Sequence, residues 1–390
     1  MTGELNNKTP FFLKLVFIFS FYELVIGGGG RFLEIGSVTF RMLFFLLAIV
    51  VSLFIYIYKN SIKKDIVILV FSFTVLLLFS CIVGVANNAP LDLLLEDIKP
   101  LSFFYMILFF SLVVNNIGDI KMVSKIIKQG SVLLSLIYLG VIILLFVGYI
   151  DFGSFYARQN EIGEIMFRGD SLFFYKGFLY LCIGFFFFLL SNDKYKNLFL
   201  ILIFTSIVLT LTRGFIIFTT LISCYYVFFI NKEKILKWIW GFILFGLMIV
   251  GGTMFIETVG DRSDSDTVRY IQIDQVYDNV NLISVFIGHG FGIGVPDRPI
   301  HMENSFLEIY HKQGLLGIAF WLALLGYTFF LYFKIKDIDY KKTALPFLLS
   351  VVFVFFQSLT NPFVNNPIGL SILLITIVIF SKFLELQKQR

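Results

Sequence analysis

Between Glu257 and Gly317 the chain reads ETVGDRSDSDTVRYIQIDQVYDNVNLISVFIGHGFGIGVPDRPIHMENSFLEIYHKQGLLG, a stretch that holds Arg262, Arg269, Arg298, Glu303 and all three histidines, His289, His301 and His311. A guanidinium fork grips the oxygens of a carboxylate or phosphate in two places, and a glutamate or histidine within reach of a hydroxyl can take its proton. The chemistry on offer is anion binding beside proton transfer. A polar connection of this length points to function. Val268, Ile271, Val276, Val280, Ile283 and Phe286 recur at roughly helical spacing behind Asp264 or Ser265 as a cap, which predicts a folded, partly helical lid on a membrane surface.

The elements that must position these groups are membrane spans. Mean hydropathy is +0.90, and 58% of residues are hydrophobic against 15% charged, far from the charge content of a soluble domain. The 51 Phe and 18 Tyr exceed what a soluble core would use and belong against lipid and its interfaces. The net charge of +5 is not a nucleic-acid signature, because the positive residues sit in loops beside apolar blocks. Cys81, Cys182 and Cys224 fall in or beside such blocks with no CxxC or metal-ligand spacing, so they read as buried thiols. The first block lacks a convincing cleavage site and reads as a retained span.

Blocks long enough to cross a hydrocarbon core of about 30 Å lie at 11–26, 37–58, 66–86, 101–117, 131–150, 171–190, 197–212, 214–230, 238–256, 315–333, 343–360 and 368–384. The fold class is an all-α polytopic membrane protein with about twelve transmembrane helices. It forms one transmembrane domain over 1–390, with outer loops at 151–170 and 257–314.

Alternation of the spans gathers Lys8, Lys59, Lys63, Lys64, Lys121, Lys125, Lys128, Lys194, Lys196, Lys232, Lys234, Lys237 and the lysines near both 336 and 388 on one side. By the positive-inside rule that side is the cytoplasm, so both termini are cytoplasmic and the 257–314 loop faces outward. Arginine is distributed the other way. Of nine arginines only Arg390 falls inside; Arg31, Arg41, Arg158, Arg168, Arg213, Arg262, Arg269 and Arg298 lie at or near the outer face. Insertion bias would remove both cations from that side, so the retained guanidinium implies an anionic partner there. A lipid-linked diphosphate carries its charge at the depth of Arg213, in the short TRG turn. Arg31 and Arg41 read as interfacial anchors that snorkel. Lys176, just inside the sixth span, needs an anionic partner or water.

LTRG at 211–214, DRSDSDTVRYIQID, GHGFGIG at 288–294 and HMENSFLEIYHKQGLLG at 301–317 follow in an order that resembles the O-antigen polymerase and O-antigen ligase superfamily. The resemblance covers about residues 150–335 and implies a GT-C-type membrane glycosyltransferase. Such an enzyme takes a glycan from an undecaprenyl diphosphate carrier at the outer face and uses no cofactor and no metal. With Asn304, Leu307, Gly314 and Gly317 set in the ligase register, Glu303 stands where a ligase has histidine and His301 precedes it by two residues. That departure favours a Wzy-type polymerase acting in polysaccharide biosynthesis.

The resemblance then implies Glu303 first, and His301 second, as the base. Glu303, Leu307 and His311 would share one helical face, with His301 off that face or before the helix. Arg213, Arg269, Arg298, Arg262, Arg158, Arg168, Lys176 and Asn304 are the candidates for binding diphosphate or glycan. Partners are the lipid-linked oligosaccharide and the bilayer, with a chain-length regulator and a flippase as protein neighbours, and no nucleic acid. Two alternatives stay open: a ligase transferring glycan to lipid A-core, and a flippase or transporter, which should show repeat symmetry between its halves. GHGFGIG lacks the strand-turn-helix context of a dinucleotide loop, and its glycines suit a tight turn or a close backbone approach to glycan or phosphate. DRSDSD lacks the glycine and terminal glutamate of a calcium loop.

Overall fold

The computed structural model describes residues 10–30, 34–35, 38–59, 63–168, 172–226, 228, 241 and 263–389. Arg31, Arg262 and the expected 238–256 span lie outside the described residues. Long apolar runs become helices here because lipid offers no partner for backbone N–H and C=O groups, which a helix pairs within itself. Among the described residues five helices are long and apolar enough to cross a membrane: Phe40–Tyr58, Lys64–Ala86, Ile117–Phe146, Ser305–Lys334 and Pro367–Lys388. Phe11–Ile26 (α1), Lys196–Leu209, Arg213–Tyr225 and Ile338–Gln357 add further apolar helices. The protein is a multi-pass membrane protein. Pro367–Lys388 is the central post, with 78% of its apolar window buried, and Leu179–Leu189 is buried along its whole length, as expected of helices that are hydrophobic all round.

Two boundaries differ from hydropathy for identifiable reasons. The fifth expected span begins at Ile117 rather than 131, because Asn116 and Asp119 form a reciprocal capping box that starts the helix in polar sequence. Hydropathy marks entry into lipid, not where the backbone becomes helical. The fourth is assembled from Leu91–Leu101 (α4), a 3-10 turn at Ser102–Tyr105 and Met106–Val113. Pro100 sits at the break, where the missing N–H and the ring disfavour a regular helix.

The fold is not purely helical. The segment after Ile150 forms a helix, Phe152–Ile162 (α7), then an antiparallel hairpin of Ile165–Arg168 (β1) and Leu172–Tyr175 (β2), with Ile165 opposite Tyr175 and Arg168 opposite Leu172. A second, shorter hairpin pairs Glu34–Ile35 with Val38–Thr39. A buried segment that is not helical must pair its backbone groups, and a hairpin does so. Lys176 follows β2 directly and opens the 3-10 turn Lys176–Phe178, which runs on into Leu179–Leu189, so it stands at the very start of that apolar helix.

Ion pairs tie together segments that alternation assigns to the same side. Lys63 binds Glu385 at 2.7 Å, Lys128 binds Asp193 at 2.6 Å and Lys14 binds Asp119 at 2.6 Å. Lys64–Ala86 leads from that side to Asn87, whose Nδ2 donates to the His289 carbonyl. At 1.5 Å per residue this helix is roughly 35 Å long, so the lysine-rich side and the histidine loop lie at opposite ends. Arg41 is not a snorkelling anchor. It is buried and holds Glu23 through two bonds, Nε to Oε2 at 2.8 Å and Nη2 to Oε1 at 2.9 Å; a carboxylate on the neighbouring helix drew the guanidinium inward.

Candidate functional site

The helix Ser263–Asn279 (α11), the short helix Leu282–Ile287 (α12) and the loop 288–304 build one wall of the site. The lid is helical, but it breaks at Val280, and Asn281 caps the second piece by accepting from Ile283 and Ser284. Val276 packs on Val295 and Met302 in a small core of its own, while Ile283 and Phe286 are exposed. Gln272, buried beside Val276, accepts the Glu303 N–H at 3.1 Å, and Gln275 accepts the Asp297 N–H at 3.2 Å. The lid thereby fixes the segment carrying Arg298, His301 and Glu303.

The glycine run docks onto protein. Gly288, Gly290 and Gly292 have φ of 73°, 88° and 81°, a region open to glycine at little cost. His289 N–H and Gly290 N–H donate to His311 and Lys312 carbonyls, Phe291 N–H to the Ser80 carbonyl and Gly292 N–H to Asp97 Oδ2 at 2.7 Å. The close approach expected of these glycines is thus to neighbouring helices, with Gly290 against the Gly84 backbone. Gly314, at φ 63°, kinks Ser305–Lys334 (α13) where it meets Phe286 and Ile287; the kink falls where hydropathy places the start of the span.

Between these elements, the β1–β2 hairpin and the Thr212–Arg213 turn lies a cavity of 720 Å³. Arg213, Arg269, Arg298, Lys176, His301 and Glu303 all line it, although they come from four separate parts of the chain. Arg213 is the first residue of Arg213–Tyr225 (α10), so the positive end of that helix lies at the cavity too. Leu211 just before it has φ 50°, a conformation that a branched apolar residue rarely keeps without a reason. Arg158 is exposed on α7 and outside the lining, and Arg168 ends β1. Asn304 does not line the cavity; its Oδ1 accepts from Phe306 and Leu307 N–H and caps α13. His289 and His311 pack ring to ring at 4.7 Å behind the wall.

Glu303 lies before α13 begins, so it shares no helical face with Leu307 and His311. Its Oε2 accepts from Arg269 Nε at 3.1 Å and its Oε1 from Arg298 Nη2 at 3.3 Å. Both oxygens are engaged by the very guanidiniums expected to bind an anion. His301 is placed differently. Its Nδ1 is 3.2 Å from Glu308 Oε1, which Lys312 Nζ also approaches at 2.8 Å. Lys312 Nζ lies 2.6 Å from Asp97 Oδ1 and also donates to the Ile300 carbonyl, while Asn365 Nδ2 donates to Glu308 Oε2 at 2.8 Å. Asp97, Glu308 and Lys312 are buried and line the cavity.

Asp97, Glu308, Lys312 and Asn365 were not singled out from sequence. Asp97 lay in an amphipathic stretch, LDLLLEDIKP, with no visible partner; the available signal was Glu308 and Lys312 at i and i+4 beside a membrane block, which charges occupy only for a purpose. Asp97, His301 and Glu308 offer one ligand atom each within 4.8 Å of one another, the makings of a cation site, yet the Lys312 ammonium already sits on both carboxylates.

An O-antigen polymerase of Shigella flexneri is 30% identical to this chain over 377 residues, covering 95% of this chain and 94% of that one. The chain belongs to the O-antigen polymerase and ligase superfamily. A family model described as O-Antigen ligase (Wzy_C) matches residues 198–322. In this superfamily member the matched region runs from Lys196–Leu209 through Arg213 and the lid into α13, and so contains Arg213, Arg269, Arg298, His301, Glu303, Glu308 and Lys312. Asp97 and Lys176 reach the cavity from outside it.

Proposed function

We propose that this chain polymerises undecaprenyl-diphosphate-linked oligosaccharide repeat units into O-antigen or capsular polysaccharide on the outer face of the cytoplasmic membrane. It is a GT-C-type glycosyltransferase with both termini cytoplasmic. The observation that carries this reading is the meeting, in one cavity, of a histidine backed by a buried carboxylate with the cationic groups of Arg213, Arg269, Arg298 and Lys176. The likeness to a polymerase over nearly the whole chain supports it.

The growing glycan on its diphosphate lipid is the donor, and a hydroxyl of a new lipid-linked unit is the acceptor. With Nδ1–H donated to Glu308, His301 keeps a lone pair on Nε2 and takes the hydroxyl proton. The oxygen bonds to the anomeric carbon as the bond from that carbon to the diphosphate breaks. The departing undecaprenyl diphosphate gains charge, and the cationic groups stabilise it there. Glu308 and Asp97 stabilise the imidazolium, as the acid partner does in a hydrolase triad. Glu303 is assigned the gate: its carboxylate holds Arg269 and Arg298 until diphosphate oxygens displace it. Arg213, Arg269, Arg298 and Lys176 then bind diphosphate, whereas Asn304 caps a helix and Arg158 stands apart. A flippase would deliver the units, and a chain-length regulator would meet the outer loops.

The test is deletion of the gene, a gel of the surface polysaccharide, and restoration with wild type, His301→Ala or Arg213→Ala. Single repeat units in place of a ladder, restored by wild type and by neither stably expressed variant, are expected. Lipid-linked polymer with nothing on its acceptor would make the chain a ligase, and units trapped on the inner leaflet would make it a flippase.

A further inference from the structure

Three side chains in the wall of the same cavity are buried with polar atoms that find no partner among the described residues. Glu164 is 0% exposed; its Oε2 accepts the Gly29 N–H at 2.8 Å, while its Oε1 has none. Gln357 is 1% exposed, with both Oε1 and Nε2 unpaired, and Gln313 is 4% exposed with Oε1 unpaired. All three line the cavity. Buried polar groups are almost always hydrogen-bonded, because leaving one unmade forfeits its hydration without return. Three exceptions around one cavity point to a ligand that completes them.

The backbone is shaped to keep these groups there, since each lies against a glycine. A β-carbon on Gly29 would fall 2.1 Å from Glu164 Oε1, one on Gly214 2.7 Å from Gln357 Oε1, and one on Gly317 2.8 Å from Gln313 Oε1. Gly214 follows Arg213 directly, so the Gln357 amide sits beside the turn that presents that cation. The chemistry of the set is distinct from that of the arginines. An amide offers a donor and an acceptor, and a carboxylate two acceptors, with no positive charge among them. Phosphate oxygens would be repelled by Glu164. Hydroxyl groups, which donate and accept, satisfy all three.

We propose that Glu164, Gln313 and Gln357 form a subsite for sugar hydroxyls of the lipid-linked glycan, an inference that rests on the polymerase reading and adds to it where the glycan is recognised. These are positioning residues: they hold the sugar so that its reacting atom meets His301 and the diphosphate meets the arginines. Each amide is assigned roughly a fivefold to tenfold share of affinity, the worth of a neutral hydrogen bond.

The test uses the full chain in lipid nanodiscs and two probes: bare undecaprenyl diphosphate, and the lipid-linked repeat unit extracted from cells deleted for this gene. Wild type is expected to bind the glycan-bearing lipid more tightly than the bare one. Gln357→Met and Gln313→Met, near in volume but without the amide, should each weaken the glycan-bearing lipid roughly fivefold to tenfold and bind the bare lipid as wild type does. Glu164→Gln should follow the same pattern. Equal binding of both lipids by wild type would overturn the subsite, as would variants that keep the wild-type preference. Variants that lose both lipids alike would also overturn it, by showing that the side chains serve the fold. Failure of the polymerase reading itself would show elsewhere, as a polysaccharide ladder that survives deletion of the gene.

Discussion

His301 and Glu308 are joined Nδ1 to Oε1 at 3.2 Å, and the same oxygen carries the Lys312 ammonium at 2.8 Å. An ionised carboxylate only accepts, so the imidazole donates from Nδ1 and keeps Nε2 for the cavity. The two carboxylates of the motif region are thereby separated in role. Glu308 is buried behind the histidine, and Glu303 faces two guanidiniums.

Loss of the base should reach turnover more than binding. His301→Gln is expected to lower the polymerisation rate by a factor on the order of 10² to 10⁴, with little change in affinity for bare undecaprenyl diphosphate. Single-turnover assays with purified lipid-linked units check both.

Glu303→Gln should do the opposite to binding. With the charge gone, Glu303 no longer competes with phosphate for Arg269 and Arg298, so bare undecaprenyl diphosphate should bind more tightly and inhibit more strongly as product. Unchanged inhibition, together with a rate loss as deep as that of His301→Gln, would return the role of base to Glu303.

Lys312→Met leaves Asp97 and Glu308 facing each other without a cation. Removing one partner from a buried ion pair costs about 3–5 kcal/mol, and a thermal melt in detergent should show a large drop. Adding Asp97→Asn should recover part of it, because one buried charge has gone with its partner.

Two glycines should respond with opposite sign. A β-carbon on Gly290 would fall 2.0 Å from Gly84 N at a φ of 88°, whereas one on Gly140 meets nothing within 4 Å. Gly290→Ala should destabilise the chain and loosen the loop that holds His301. Gly140→Ala, inside Ile117–Phe146, should be neutral or stabilise by up to about 1 kcal/mol.

Sidedness can be read chemically. A cysteine at Asn87 should react with an impermeant maleimide in intact cells once the outer wall is opened, and one at Lys63 should react only after lysis. The reverse pattern would place the cavity in the cytoplasm.

The membrane class was written in composition, and where the structure describes the expected spans each contains helix, because lipid forces a long apolar run to pair its own backbone. Motif order was legible for the same chain of reasons: TRG, the lid and the glycine run are local features whose backbone demands show in residue type, whereas the kink at Gly314 came only from the structure. The hairpin at 165–175 was not legible, since IMFR lay in the loop expected at 151–170, LFFY read as the start of the 171–190 span, and their pairing depends on tertiary contacts. Arg41 was misread because its partner, Glu23, lies on another helix.

What the sequence by itself determined, then, is the membrane class of the chain, the apolar segments that become helices, and the stretch that carries the family likeness. Only the tertiary structure decided which charges neutralise which. Asp97 and Lys312 lie 215 residues apart and meet at 2.6 Å, while Glu303 is drawn onto Arg269 of the lid and Arg298 of its own loop. In a medium of low dielectric such pairings set which carboxylate lies against a histidine and which against two guanidiniums. They depend on contacts between helices, and these no local pattern of residues records.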